Sequence, residues 1–167
     1  MTQEHLHLAV NHLPFLGSGI AIIPILVGIV LRNKATLLTG LAIAALCGLM
    51  TPLVMSSGEA AFERYEKGTV RVFLDSNVEQ ALVSHEERAE TWSKLMYLSA
   101  LVSTIALGAS IWRFSIGRYV SIAAAACCLV ALGSGVWIAD SGGRIRRPDF
   151  RLPETGTVSL KTKVDND

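Results

Sequence analysis

LPFLGSGIAIIPILVGIVL, residues 13–31, runs for 19 positions without a charged side chain. About 20 helical residues cross the hydrocarbon core of a bilayer, so this stretch reads as a membrane span. Backbone groups in lipid must be paired internally, which excludes open strands. Three more charge-free runs follow at 35–55, 95–112 and 119–138. The whole chain agrees: of 167 residues, 51% are hydrophobic and only 17% charged, against roughly 25% charged in soluble domains. Mean hydropathy is +0.44. A net charge of +1 implies no polyanion-binding tail, so nucleic acid is not an expected partner. The N-terminus has no Lys or Arg ahead of the first run and no small-residue cleavage site, so the first helix is expected to stay rather than act as a secretory signal.

The connections are unequal. Arg32, Asn33 and Lys34 join the first two runs, and 113–118 joins the last two. A polar stretch, 56–91, separates the second from the third, and a tail, 139–167, follows the fourth. Short links force antiparallel neighbours, so the expected fold is all-α: an integral membrane, up-down four-helix bundle. Residues 1–151 are expected to form one membrane domain, with 152–167 a polar tail. The N-terminus, the middle connection and the tail then share one face. No internal repeat is visible. The tight links hold four basic residues and no acidic one, which favours that end inside and the long connections facing the periplasm. The raw Lys/Arg count favours the reverse, because 56–94 holds five basic residues and the tail six.

The middle connection carries capping-box spacing at Ser56–Glu59, Ser76–Glu79 and Ser84–Glu87, with Gly68 as a stop. Phe62, Tyr65, Val70, Phe73, Val78 and Leu82 interleave with its charges, so one or two amphipathic helices are expected on the bundle mouth. Trp92, Trp112 and Trp137 fit an aromatic belt. Cys47, Cys127 and Cys128 fall mid-membrane and read as small apolar fillers.

Counting about 1.5 Å of rise per residue brings the polar groups to one depth. His5 and His7 come roughly 8 to 10 Å above His12, Glu59 about 6 Å and His85 about 10 Å above the apolar edges of their helices. Gly142, Gly143 and Arg144 leave the fourth run at the same mouth. Imidazoles and carboxylates from different helices of a bundle are the usual makings of a metal or haem site. Two candidate sets follow: His12 and His85 as axial ligands of a haem b, or His7, Glu59 and His85 around iron, copper or zinc. His5, Asn11, Glu86, Glu90 and Arg144 are the expected supporting groups, with Asn11 orienting His7. The plain alternative is that histidines at a membrane interface only bond backbone or headgroups.

The segments His5-Leu-His7-Leu-Ala-Val-Asn11-His12-Leu-Pro14, Gly58-Glu59, His85-Glu86-Glu87-Arg88-Ala89-Glu90 and Gly142-Gly143-Arg144-Ile145-Arg146 resemble a family of small bacterial four-helix inner-membrane proteins. The resemblance covers about residues 4–151. It implies the topology, the bacterial inner membrane and the choice of residues, and it implies no reaction. Family members usually carry a histidine after the Ile-Arg pair, where this chain has Arg147. A ligand at that position in relatives would be missing here.

The expected function is a membrane redox or electron-transfer component with a haem or metal at the mouth, in contact with lipid and with other subunits of a respiratory or redox complex. The alternative is a non-catalytic accessory subunit of a larger membrane complex. No nucleophile is poised beside a base, and no span carries a carboxylate, Lys, Arg or His near its middle, which argues against hydrolysis and coupled transport. A histidine-based pH sensor is a third reading.

Overall fold

The computed structural model describes residues 2–68 and 78–146, the last of these by its backbone alone. Six helices, and no strand among the described residues, build four rods: α1 (Gln3–Val10), α2 (Leu13–Val30), α3 (Lys34–Gly48), α4 (Thr51–Glu66), α5 (Val78–Trp112) and α6 (Phe114–Arg146). Rods α1–α2, α3–α4, α5 and α6 are each long and apolar enough to cross a membrane. The chain is therefore an all-α, multi-pass four-helix bundle. The expected surface helices are the upper ends of α4 and α5, which run on past the apolar spans rather than lying across the mouth. Val70, Phe73 and the 152–167 tail fall outside the described residues.

Each tight link has a local cause. After α2, the Asn33 amide closes on Gly28 O at 3.0 Å, with Arg32 in the left-handed region at φ 52°. The Asn33 side chain then accepts the Thr36 amide at 3.1 Å and starts α3. Arg113 alone separates α5 from α6.

The first hairpin, α1 to α4, is broken on both arms. Pro14 and Pro52 stand at the beginnings of α2 and α4, where a missing amide proton costs least. The second hairpin, α5 and α6, is unbroken over 35 and 33 residues.

Around the bundle, α2 touches α3, α3 touches α5, α5 touches α6 and α6 returns to α2, while the diagonal pairs scarcely meet. The hairpins thus sit side by side about a pseudo-two-fold axis along the bundle. Close approach drives the packing, because lipid tails give apolar side chains no reason to leave them. A Cβ at Gly40 would stand 2.7 Å from Ile25 N, and one at Gly117 would stand 2.3 Å from Ser110 Cα. The core between them is small and apolar: Ala21, Ile25, Leu37, Leu41, Ala44, Ala106, Ala124, Ala125 and Cys128. Phe15, Met96 and Ala131 continue it towards the mouth. Buried hydroxyls bond back to their own helices, as Ser18 does to Pro14 O and Ser121 to Gly117 O. Ser99 donates to the Cys128 thiol at 3.4 Å.

Candidate functional site

His7 and His85 occupy the same environment in the two hairpins. His7, on α1, places Nδ1 3.1 Å from Val54 O and 3.3 Å from Ser57 Oγ on α4. His85, on α5, places Nδ1 3.2 Å from Ile138 O and 3.0 Å from Ser141 Oγ on α6. In each seat the serine donates its proton to that same carbonyl, at 3.0 Å for Ser57 and 2.6 Å for Ser141. The carbonyl only accepts, and the hydroxyl proton is already committed to it. The imidazole must therefore donate from Nδ1, which leaves the Nε2 lone pair free. Among the described residues no protein group bonds either Nε2.

A glycine floors each seat. A Cβ at Gly58 would stand 2.9 Å from His7 Cε1, and one at Gly142 would stand 3.1 Å from His85 Cε1. The spacing repeats as well. Val54-x-x-Ser57-Gly58 matches Ile138-x-x-Ser141-Gly142. His7 and Ser57 lie 25 residues before and after Arg32, while His85 and Ser141 lie 28 before and after Arg113. The extra three residues per arm make nearly one helical turn, so the facing side chains are conserved between hairpins. This correspondence corrects the expectation of no internal repeat. It rests on a few side chains, and only the packing across each hairpin reveals it.

Both imidazoles stand on helix ends beyond the charge-free runs. Burial is the main force on each and holds its pKa below the usual imidazole value, against a smaller upward pull from the carbonyl. Two neutral imidazoles with fixed tautomers thus share one mouth on diagonally opposed helices.

The other expected residues sit elsewhere. His12 is exposed at the start of α2, tilted against Phe15 with ring centroids 5.5 Å apart. Asn11 turns its side-chain oxygen to His12 Nδ1 and gives His7 only a backbone bond, its amide to His7 O at 2.9 Å. The exposed His5 bonds Thr2 Oγ1 at 2.9 Å. Glu59 and Glu90 are exposed and Glu86 is half-buried. Burial first, and then Glu90, Glu66, Glu59 and Glu87, push the Glu86 carboxyl above its usual range. Among the described residues no three His, Cys, Asp or Glu side chains gather in metal-binding reach, and His7, Glu59 and His85 do not form such a group.

Arg144 pairs with Asp140 at 3.0 Å, and Arg88 reaches the same carboxylate at 3.5 Å. The Arg88 guanidinium also lies 4.3 Å from the Trp137 ring centroid. Across the first hairpin, Glu4 pairs with Arg64 at 3.1 Å. Depth counting missed Ser57, Ser141 and the two carbonyls. Their available signal was the repeated β-branched-x-x-Ser-Gly spacing set symmetrically about each turn.

No family model, curated protein or solved structure matches this chain. The resemblance noted from the sequence therefore rests on its motifs alone.

Proposed function

We propose that the chain is an integral membrane electron-transfer protein that holds one haem b at the bundle mouth between His7 and His85. The observation that carries this reading is the duplicated imidazole seat on two diagonally opposed helices, with Nδ1 anchored and no described residue bonding Nε2. His7 and His85 would hold the haem iron through their neutral imidazoles, a common form of haem ligation that asks the protein for two side chains. Zinc and non-haem iron ask for three or four side chains, and the described residues gather no such set.

Bound haem would supply one-electron cycling of its iron. The protein's part is preparation. Val54 O, Ile138 O, Ser57 and Ser141 keep the proton on Nδ1, set the ring orientation and raise the basicity of Nε2. Gly58 and Gly142 leave room for the rings. Burial disfavours the imidazolium that would compete with ligation. The proposed setting is a bacterial inner membrane with the mouth on the periplasmic side, supported by the purely basic tight links.

The test is a visible spectrum of the detergent-purified protein, oxidised and then reduced. The expected result is the sharp α-band of a low-spin bis-histidine haem, lost in His7→Ala and in His85→Ala and kept in His12→Ala. A colourless preparation that takes up no added haem would overturn the reading. Co-purification of such a preparation with other subunits would favour the accessory-subunit alternative.

A further inference from the structure

The end of the bundle opposite the histidines carries chemistry that the haem reading does not use. Residues 30–36 and 111–119 contain Arg32, Lys34, Arg113 and Arg118 and no carboxylate. The backbone fixes where these cations stand. Arg32 occupies the left-handed position that ends α2, at φ 52°, a place usually taken by glycine or asparagine. A long exposed cation stands there instead. Lys34 opens α3 and reaches Ile111 O at 3.4 Å, which ties the two turns together. Arg113 is the whole link between α5 and α6, and Arg118 follows on the first turns of α6 beside the Tyr119 ring, 5.7 Å from its centroid.

Exposed apolar side chains ring these cations. Val30 is 75% exposed, Leu31 69%, Ile111 59%, Trp112 83% and Tyr119 67%. Trp and Tyr at that level mark the headgroup region of a bilayer. A cation with no acidic neighbour, set beside an open apolar surface, matches a molecule whose anionic head continues into acyl chains. A free phosphate would need only the cations.

We propose that this end is a binding surface for anionic phospholipids, with Arg32, Lys34, Arg113 and Arg118 on the phosphates and Val30, Leu31 and Ile111 against the upper acyl chains. Arg suits phosphate oxygens by its planar fork, and the juxtamembrane setting makes each cation effective towards an anionic leaflet. The inference is independent of the haem reading.

The experiment is native mass spectrometry of the full-length protein released from nanodiscs holding phosphatidylcholine and phosphatidylglycerol together. The expected result is preferential retention of phosphatidylglycerol. Each neutralised cation should lower that preference roughly fivefold, the equivalent of about 1 kcal/mol. The variant R32Q/K34Q/R113Q/R118Q should lose it altogether, while Arg144→Gln, at the mouth, should keep it. Should the quadruple variant fail to insert, Arg113→Gln and Arg118→Gln each provide the fivefold readout. Equal retention of the two lipids by the wild type, or undiminished preference in the neutralised variants, would overturn the proposal. Displacement of phosphatidylglycerol by inorganic phosphate would also overturn it, by marking a free-anion site.

Discussion

The two hairpins present the same histidine seat on frames of different stiffness. In the second, His85 stands on a 35-residue helix without a break, over a 33-residue partner. Arg88, Trp137 and Asp140 bind the arms together just below it. In the first, His7 stands half-buried on the eight-residue α1, which has no fully buried residue and packs chiefly on α4. Below it each arm is jointed, ahead of Pro14 in α2 and ahead of Pro52 in α4. One imidazole is therefore held by a continuous rod and the other by a short segment above a joint. Equal local chemistry does not bring equal local stability when the supporting helices differ.

Hydrogen exchange offers the largest expected contrast. Amides of Gln3–Val10 should exchange on the order of a hundredfold faster than those at residues 85–94, a gap of about 3 kcal/mol in local opening. Equal protection would dissolve the distinction between rigid and jointed hairpins. Filling the seats is the next largest. Gly142→Leu and Gly58→Leu each push a side chain into the imidazole and should cost about 1–3 kcal/mol. The greater loss of thermal midpoint in detergent should fall on Gly142, because the unbroken α6 cannot shift aside; a greater loss at Gly58 would reverse the assignment of stiffness.

The smallest effect concerns charge. The carboxyl of Glu86 is held above its ordinary value of 4.5, chiefly by burial and then by its acidic neighbours. Its ionised form therefore costs stability at neutral pH, and that cost disappears as pH falls through the raised value. Glu86→Gln should raise the thermal midpoint slightly at pH 7, with the gain fading by about pH 4.5. A loss of stability at pH 7 would show that the carboxylate is held by a favourable contact.

The four rods were legible because charge-free runs of bilayer length have one outcome in lipid. The antiparallel order followed from link length, as the single-residue turn at Arg113 illustrates. His7 and His85 were legible as candidates, but not as partners. Depth counting at 1.5 Å per residue assumes a straight helix and says nothing of azimuth. The break at Asn11 and His12, ahead of Pro14, turns His12 outward while His7 swings onto α4. Glu59, one residue beyond Gly58, faces outward for the same reason: neighbours on a helix lie about 100° apart. Ser57 and Ser141 read as ordinary small residues, because their role depends on the carbonyl one turn earlier and on a ring from another helix.

The covalent connection between Glu66 and Val78 makes the meeting of the two hairpins unimolecular. Two separate hairpins would have to find each other by diffusion in the bilayer and would part on dilution. Joined in one chain, they face each other at an effective concentration set by the connection rather than by expression level. Each hairpin is also free to change without its twin, so one seat can be stiffened while the other stays jointed.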